Sequence, residues 1–142
     1  MLRVKHLLVA KGRDVWTVNA EDPVLEAIQM MADHHVGALP VVRDQDLVGI
    51  VSERDYARKV ILLGRSSAET QVWQIMTSPV LTISPEDTVN HCMQLMTDQR
   101  VRHLPVIEND RLVAMISIGD LVKAVIEEQQ DTIEQLHRFI AS

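Results

Sequence analysis

An internal repeat constrains the fold of this 142-residue chain more than any other feature of its sequence. Residues 15–60 align with residues 80–125 without a gap, and at the positions where a core would need it, most of the pairs that differ keep their apolar character. Identical pairs include Thr17 and Thr82, Glu21 and Glu86, Met31 and Met96, and the Leu-Pro-Val motif at 39–41 and 104–106. Repetition at a fixed spacing is the signature of a duplicated structural unit. Because one copy buries too little surface to be stable alone, we expect the two copies to pack together.

The hydrophobic period changes in the same order in each copy. A short β-rich piece leads to apolar residues at helical spacing, which follow the capping candidates Asp22 and Asp87. In the first copy Pro23 takes the first helical position. Two apolar runs separated by polar residues then predict a hairpin, and a second helix follows, which in the first copy ends near Gly64. The predicted unit is β-α-β-β-α, an α/β (α+β) fold with a small sheet covered by helices.

The rest of the chain connects and extends the two repeats. The linker is predicted to contain one short helix with Thr70 as its cap. The last segment carries Ile133, Leu136 and Ile140 at helical spacing behind a Thr132–Gln135 capping box. It is expected to be an amphipathic helix that closes over its own chain or docks on a second subunit. The predicted boundaries are 1–14 for an N-terminal segment, 15–64 for the first repeat, 65–79 for the linker, 80–126 for the second repeat and 127–142 for the C-terminal helix.

Charge and hydropathy narrow the classes of partner. The net charge is −6, with 14 Lys and Arg against 20 Asp and Glu, whereas nucleic-acid binding draws much of its affinity from basic residues. No apolar run approaches the roughly 18 residues of a membrane span, and the first residues are too often charged for a signal peptide. The single cysteine, Cys92, forms no internal disulfide and is expected to be a buried apolar residue. We expect a cytoplasmic protein that binds neither nucleic acid nor membranes.

A serine and an aspartate three positions apart open the second helix of each copy. They are Ser52 and Asp55 in the first copy, and Ser117 and Asp120 in the second. This pattern is a common helix cap, and an acid in the first turn is favourable at the positive end of a helix. The same groups suit a ligand, since N–H groups and a hydroxyl can bind phosphate and a carboxylate can accept both hydroxyls of a ribose. The pattern leaves two roles open, a cap alone or a cap that also holds a ligand.

The order of the motifs resembles a tandem pair of cystathionine-β-synthase (CBS) domains, the Bateman module. The resemblance covers residues 15–126 and rests on Leu-Pro-Val-Val at 39–42, Gly-Ile-Val-Ser-Glu-Arg-Asp at 49–55, Ile-Met-Thr at 75–77 and Leu-Pro-Val-Ile at 104–107. It implies a disc in which two repeats are related by a pseudo-twofold axis, with two clefts between them. In that family the clefts bind adenosyl ligands such as AMP, ADP, ATP, NAD(H) or S-adenosylmethionine. The resemblance therefore implies a non-catalytic sensor of energy or redox state.

The resemblance also implies roles for residues of this chain. Asp55 and Asp120 would hold the ribose, and Ser52 and Ser117 would face the phosphate. Adenine would lie on the first strands and beside the residues that precede Leu-Pro. Met76 is most simply a core residue, although its polarizable sulfur also suits an adenine face. The first-strand residues are Val15, Trp16 and Thr17 in one cleft and Val80, Leu81 and Thr82 in the other. The residues before Leu-Pro are Gly37 and Ala38 in the first repeat and Arg102 and His103 in the second.

The two clefts are predicted to differ in charge and shape. Small residues before Leu-Pro in the first repeat oppose a cationic pair in the second, and Arg54 has only Gly119 as its counterpart. We therefore expect the Asp55 cleft to be richer in positive charge and to prefer the more phosphorylated ligand. Ala114 stands where the usual pattern has glycine, so its methyl group is expected to crowd the Asp120 cleft.

An alternative hypothesis is a ligand-independent module that dimerises and recruits an effector protein through its C-terminal helix. A homodimer is expected under either hypothesis, because two such modules can bury flat helical faces. Nucleic-acid binding through Arg100, Arg102 and Lys123 is opposed by the acidic total. The sequence contains no metal-ligand spacing and no nucleophile with a base and an orienting acid, so we expect neither a metal nor catalysis.

Overall fold

The duplicated sequence folds into two units in the computed structural model, which describes residues 1–12 and 14–141. Residues 14–82 form the first-repeat unit. Residues 1–12 and 83–141 form the second-repeat unit. Each unit combines a small sheet with helices, which confirms the predicted α/β class.

The elements follow the order that the repeat predicts, with one additional helix before the first repeat. In chain order they are α1 (Val4–Lys11), β1 (Val18–Asn19), α2 (Val24–His34), β2 (Ala38–Arg43), β3 (Asp46–Ser52), α3 (Glu53–Tyr56), a π-helical turn (Ala57–Ile61), a 3-10 turn (Val72–Gln74), α4 (Val89–Gln99), β4 (His103–Glu108), β5 (Arg111–Ser117) and α5 (Ile118–Ala141). The predicted end near Gly64 is confirmed, because this glycine has a φ of 65° and its N–H donates to the Ile61 carbonyl.

An antiparallel hairpin forms the centre of each sheet. In the first-repeat unit β2 pairs with β3, and β1 adds a parallel strand beside β2. In the second-repeat unit β4 pairs with β5, and the predicted first strand is reduced to one bridge between Ile83 and Val106. Each hairpin turn contains two polar residues with positive φ, which two-residue loops of this kind require. They are Asp44 and Gln45 in one hairpin and Asn109 and Asp110 in the other.

The segment that precedes each repeat packs against the other repeat. The Val24 N–H at the start of α2 donates to the Thr70 carbonyl in the linker at 2.8 Å. The Val89 N–H at the start of α4 donates in the same way to the Leu2 carbonyl at 2.9 Å. The N-terminal segment and the linker are therefore structural counterparts. No helix was predicted for residues 1–14, so the sequence pattern did not indicate α1.

These two segments complete the two apolar cores. Val4 and Leu8 of α1 are 0% and 3% exposed and belong to the core of the second-repeat unit. Val72 and Ile75 of the linker, both 0% exposed, belong to the core of the first-repeat unit. An apolar side chain of this kind contributes roughly 1.5 to 3 kcal/mol when it is removed from water. Each repeat therefore depends on the segment that precedes the other one.

Two predicted helix caps are wrong. Asp22 and Asp87 do not cap α2 and α4, because their carboxylates accept the N–H groups of Asn19 and Ser84 at 3.1 and 2.8 Å. Both aspartates close the turn that precedes the helix, a role in which the short Asx side chain competes well.

The observed caps lie one residue beyond the predicted ones. Pro23 is the cap residue of α2 and not its first helical residue, and Thr88 caps α4 through its hydroxyl. In the linker the residue before the 3-10 turn is Gln71, and Thr70 is instead buried at 4% exposure.

The C-terminal helix is not a separate element. α5 runs without interruption through the predicted capping box, and the Thr132 hydroxyl donates to the Glu128 carbonyl at 3.1 Å. A capping hydroxyl has to accept an N–H, whereas this one donates to the preceding turn. The predicted box at Thr132–Gln135 is therefore wrong, although the segment is helical as expected.

Candidate functional site

The start of α3 fixes the Asp55 carboxylate. Ser52 is the cap residue, and its hydroxyl accepts the Asp55 N–H at 3.1 Å. The Asp55 Oδ2 atom in turn accepts the Ser52 N–H and the Ser52 hydroxyl, both at 3.0 Å. The reciprocal pair is a capping box, so the capping role that the sequence predicted is confirmed.

The other oxygen of Asp55 meets groups that sequence reasoning missed. Lys59 Nζ lies 3.1 Å from Asp55 Oδ1, and the Thr77 hydroxyl donates to the same atom at 3.4 Å. Lys59 also donates to the Ile75 carbonyl at 2.9 Å. The Asp55 side chain is only 13% exposed, so its four contacts hold the carboxylate at a position that is largely excluded from water.

The start of α5 repeats this arrangement around Asp120. The Ser117 N–H donates to Asp120 Oδ2 at 2.8 Å, and the Asp120 N–H donates to the Ser117 hydroxyl at 3.2 Å. Lys11 of α1 forms an ion pair with the same carboxylate oxygen. Burial raises the pKa of Asp120, but the bonds from Lys11 and Ser117 outweigh it and hold that pKa below the usual 3.8. Asp120 is therefore ionised at neutral pH.

His103 beside this site is not a cation at neutral pH. Burial lowers the pKa of His103 below its usual 6.5, and the charges of Lys11 and Arg102 act in the same direction. The Asp120 charge opposes them without reversing the result. The predicted cationic pair before Leu-Pro is therefore reduced to one permanent charge, that of Arg102.

Backbone pairing places the residues before Leu-Pro beside the aspartate helices. Ala38 pairs with Ser52 across the first hairpin, and the Glu53 N–H donates to the Gly37 carbonyl at 3.0 Å. The second hairpin repeats this, since His103 pairs with Ser117 and the Ile118 N–H donates to the Arg102 carbonyl at 2.9 Å. Hairpin register thus brings together the predicted site residues that are far apart in sequence.

These contacts leave few N–H groups for a phosphate. In the first turn of α3 the Ser52, Glu53 and Asp55 N–H groups all bond within the protein. The first turn of α5 is engaged in the same way. An anionic group at either site would therefore depend on side-chain cations more than on the helix end.

The other residues of the first repeat that were predicted to bind the ligand differ in exposure and in contacts. Trp16 is 40% exposed and stacks on His34, with ring centroids 4.0 Å apart. Met76 packs against the core, and its sulfur fills the space beside Gly49, where a Cβ would lie 2.5 Å from it. Arg54 and Thr17 are exposed and Val15 is partly buried.

The first-strand residues of the second repeat do not form a strand. Val80 is partly buried, Leu81 and Thr82 are exposed, and the three belong to the first-repeat unit. Only the next residue, Ile83, pairs with the sheet of the second-repeat unit.

Among the described residues, positive charge is not concentrated at the Asp55 site relative to the Asp120 site. Lys59 forms an ion pair with Asp55, and Lys11 forms one with Asp120. Arg102 is near enough to act on the pKa of His103. The predicted charge difference depended on Arg54 and its counterpart Gly119, whereas Lys11 lies on α1, where no helix was predicted. Ala114 is 1% exposed and packs within the core of the second-repeat unit.

A cavity of about 410 Å³ lies beside Asp120 between α1 and α5. Its polar lining mixes both signs of charge, with Lys11 and Lys123 facing several carboxylates. The lining residues are Leu2, His6, Leu7, Ala10, Lys11, Asp120, Lys123, Ala124, Glu127, Glu128 and Asp131. Asp120 thus opens onto a space that a small polar molecule can enter.

The described part of the chain gives little support for metal binding, thiol chemistry or membrane insertion. No group of three His, Cys, Asp or Glu side chains among residues 1–12 and 14–141 is placed to hold a metal ion. Cys92 is buried in the core of the second-repeat unit, as expected, and burial with the nearby Asp87 charge raises the pKa of its thiol to about 11. None of the described helices has both the length and the apolar composition of a membrane span.

Comparison with known proteins identifies similar sequences and folds. A family model described as "CBS domain" matches residues 4–61 and again residues 72–127. The chain is 45% identical over 136 residues to the CBS domain-containing protein CBSX3, mitochondrial, of Arabidopsis thaliana. That alignment covers 92% of this chain and 66% of the Arabidopsis protein, so the chain spans just under two thirds of its relative's length.

Two solved structures show the same fold. The CBS-domain containing protein ATU1752 from Agrobacterium tumefaciens is 41% identical with a TM-score of 0.81, over 86% of this chain and 98% of that one. The CBS domain pair of protein MJ0100, solved in complex with 5-methylthioadenosine and S-adenosyl-L-methionine, has a TM-score of 0.79 at 23% identity. It covers 90% of this chain and 98% of its own.

Proposed function

Because the chain belongs to the CBS-domain family and carries two CBS domains, we propose that it is a non-catalytic regulatory module that binds adenosyl ligands. Asp55 and Asp120 hold the ribose of the ligand at two sites. The ligand belongs to the class that includes AMP, ADP, ATP, NAD(H) and S-adenosylmethionine. Such regulation requires that the ligand bind one of two conformational states of the module more tightly than the other, so that binding shifts the population toward that state.

The observation that carries this proposal is the repeated geometry of the two aspartates. Each carboxylate is oriented by the N–H of its own cap serine, and each is paired with a lysine. A cap needs only one carboxylate oxygen, so the lysine and, for Asp55, the Thr77 hydroxyl are additional. A partly buried, oriented and ionised carboxylate fits the diol of a ribose, which offers two hydroxyl donors.

Ligand binding at Asp55 exchanges one set of donors for another. The ribose hydroxyls replace Lys59 and Thr77 on Oδ1, while Oδ2 keeps its bonds to Ser52. Lys59 keeps its bond to the Ile75 carbonyl and stays within the site as a cation for the ligand's charged group. At Asp120 both Lys11 and the Ser117 N–H contact Oδ2, so the ribose binds at Oδ1 and Lys11 of α1 stays beside it, which couples the ligand to the segment before the first repeat.

Relatives support the ligand class without identifying the ligand. MJ0100, which shares the fold, was crystallised with two adenosyl compounds, so a CBS pair can accommodate them. We propose a homodimer as the assembled form and an effector protein as its target. The predicted cytoplasmic location stays a prediction, and the Arabidopsis relative is described as mitochondrial.

A ligand panel tests the proposal directly. Thermal unfolding is measured with AMP, ADP, ATP, NAD, NADH and S-adenosylmethionine, and a ligand at about 100 times its Kd should add roughly 2.7 kcal/mol of stability. Calorimetry then compares Asp55→Asn and Asp120→Asn with the unaltered chain. An asparagine oxygen can still accept the cap N–H, so each variant keeps its helix start. It loses the ion pair to Lys59 or Lys11 and the charge-assisted bonds to ribose. Affinity at the altered site should fall by about 10- to 100-fold.

Matched control variants distinguish the effect of altering a ligand site from the general effect of replacing an aspartate by asparagine. Asp22→Asn and Asp87→Asn alter aspartates that close turns in the same two units, so they should leave the affinity unchanged. No thermal shift with any adenosyl compound would refute the proposal, and so would equal binding by all four variants.

The alternative function is a ligand-independent module that recruits a partner protein through α5. It is favoured by the apolar residues that α5 exposes, among them Leu136 at 55% and Ile140 at 79%. Removing residues 129–142 would then abolish recruitment, and no adenosyl compound would change stability. The panel above distinguishes the two functions, because only the first predicts a shift.

A further inference from the structure

α5 continues well beyond the core that it helps to cover. Leu121 is its one fully buried side chain among the described residues, and Ala124 and Val125 are the last that pack against the core. Every residue from Ile126 to Ala141 is exposed. An isolated helix of about this length is marginal in water, so its stability calls for a partner surface.

The exposed part of α5 carries apolar residues in a heptad pattern. Isoleucine recurs every seven residues at 126, 133 and 140, with exposures of 52%, 47% and 79%. A second row lies three residues after each of the first two isoleucines and includes Gln129 and Leu136, with Val122 one heptad earlier. These two rows are the a and d positions of a coiled coil. Isoleucine at all three a positions and Leu136 at one d position fit a two-stranded coiled coil, which is favoured by β-branched residues at a and leucine at d.

The charges of α5 leave this seam free of repulsion. The four acids Glu127, Glu128, Asp131 and Glu134 all lie outside the a, d, e and g positions. The flanking e positions are Lys123, Gln130 and His137, and the flanking g positions are Val125, Thr132 and Phe139. Two copies of this acidic chain can therefore pair their α5 helices along the a and d positions without bringing carboxylates together. A different partner helix with charged residues at its e and g positions would find few opposite charges at the e and g positions of α5.

We propose that α5 pairs with α5 of a second copy of this chain as a parallel, in-register, two-stranded coiled coil from Val122 to Ile140. In this register Gln129 faces Gln129 of the second copy, and the two amides hydrogen-bond within the seam. An antiparallel pair centred on the same segment would place Gln129 against Ile133 and leave the amide without a partner. The paired segment is about 27 Å long, at 1.5 Å per residue. This inference deepens the homodimer of the proposed function and does not depend on any ligand.

Disulfide cross-linking tests the pairing and its direction. Ile126→Cys and Ile140→Cys are prepared separately in the full chain, where the buried Cys92 does not compete. A parallel pair brings each new cysteine next to its own copy, so each variant alone should form a covalent dimer under mild oxidation. Glu127→Cys and Glu134→Cys place the thiol outside the seam and should remain uncross-linked. Cross-linking of Ile126→Cys only when it is mixed with a Leu136→Cys variant, whose thiol lies opposite residue 126 in the antiparallel register, would show an antiparallel pair and overturn the proposal. No cross-linking, or equal cross-linking of the controls, would also overturn it.

Sedimentation equilibrium measures the contribution of the seam to assembly. Ile133→Asp places a charge in the seam, so dimer association should weaken by about 100-fold, while the neighbouring change Glu134→Lys should leave it within about threefold. Ile133 lies outside both cores, so thermal unfolding of the two units should be the same in both variants. A wild-type chain that stays monomeric at tens of micromolar, or an Ile133→Asp variant that associates like wild type, would overturn the proposal. Neither result would alter the ligand-induced thermal shift, so this failure is distinguishable from failure of the proposed function.

Discussion

Two lysines neutralise equivalent aspartates from different places in the chain. Lys59 lies four residues after Asp55 on the same helical segment, the spacing at which oppositely charged side chains meet. The position equivalent to Lys59 in the second repeat is Ala124, and the ammonium that reaches Asp120 belongs to Lys11 instead. The same local charge balance is thus reached by a local pair in one unit and a long-range pair in the other.

Lys11→Met should make Asp120 protonate at a higher pH. The folded pKa of Asp120 lies below its usual 3.8, so its contribution to stability is full above that value and is lost as the pH falls through the folded pKa. Without Lys11, burial raises this pKa with less opposition, and the loss should begin at a higher pH. Carboxyl NMR titration with urea unfolding at several pH values measures both effects. The pair is about one-third exposed, so the change in unfolding free energy at neutral pH should be at most about 1 kcal/mol.

Lys5→Met provides the control for this prediction. Lys5 lies on the same helix and pairs with Glu86, but their side chains are 47% and 69% exposed. Solvent screens such a pair, so the variant should match the wild-type pH profile. An unchanged Asp120 titration in Lys11→Met would show that the ion pair does not set this pKa.

At the scale of elements, each repeat is completed by the segment that precedes the other. α1 and the linker receive the same backbone hydrogen bond from the first helix of the repeat on which they pack. The linker has only a 3-10 turn at this place, whereas α1 runs for 8 residues and reaches the Asp120 site. The two sites therefore differ both in their completing segments and in residues of the repeats themselves, such as Lys59 and its counterpart Ala124.

Leu8→Ala should destabilise the second-repeat unit. Leu8 is 3% exposed in its core, and removing a buried leucine side chain costs about 2 to 5 kcal/mol. Urea unfolding measures this loss. Val9→Ala is the matched control, since Val9 is 87% exposed and its change should stay within about 0.5 kcal/mol. Equal stability of the two variants would show that α1 does not complete this core in solution.

At the scale of the whole molecule, the chain has two separate apolar cores and one cysteine. Cys92 lies in the core of the second-repeat unit, and the first-repeat unit has no thiol among its described residues. Because the reactive species is the thiolate, a buried thiol with a raised pKa reports only the opening of its own unit.

The Cys92 thiol should react very slowly with Ellman's reagent in the native chain. A pKa of about 11 leaves roughly one thiol in a thousand ionised at pH 8, and burial blocks access even to that fraction. Reaction should accelerate in Leu8→Ala, stay unchanged in Val9→Ala and slow when a ligand occupies the Asp120 site. The chain unfolded in urea provides the fully reactive reference. A native rate close to that reference would mean that this core is open in solution.

The sequence alone predicted the repeated unit, both hairpins and the capping roles of Ser52 and Asp55. These depend on periodicity and on contacts within a few residues, which the order of residues encodes directly. It also predicted that Cys92 is buried, because its helix face is apolar throughout. The first strand of the second repeat was predicted less well, since one bridge at Ile83 replaces a strand and its pairing partner is distant.

Sequence therefore determined the duplicated architecture and the chemistry of each helix start, because those are local consequences of residue type and spacing. Only the tertiary structure decided which lysine faces each aspartate, that α1 completes the second-repeat unit, and that His103 is neutral. These outcomes depend on burial and on contacts between residues as far apart as Lys11 and Asp120. The free energy of such contacts is set by distance and solvent exclusion in the folded chain, and neither quantity is visible in the sequence.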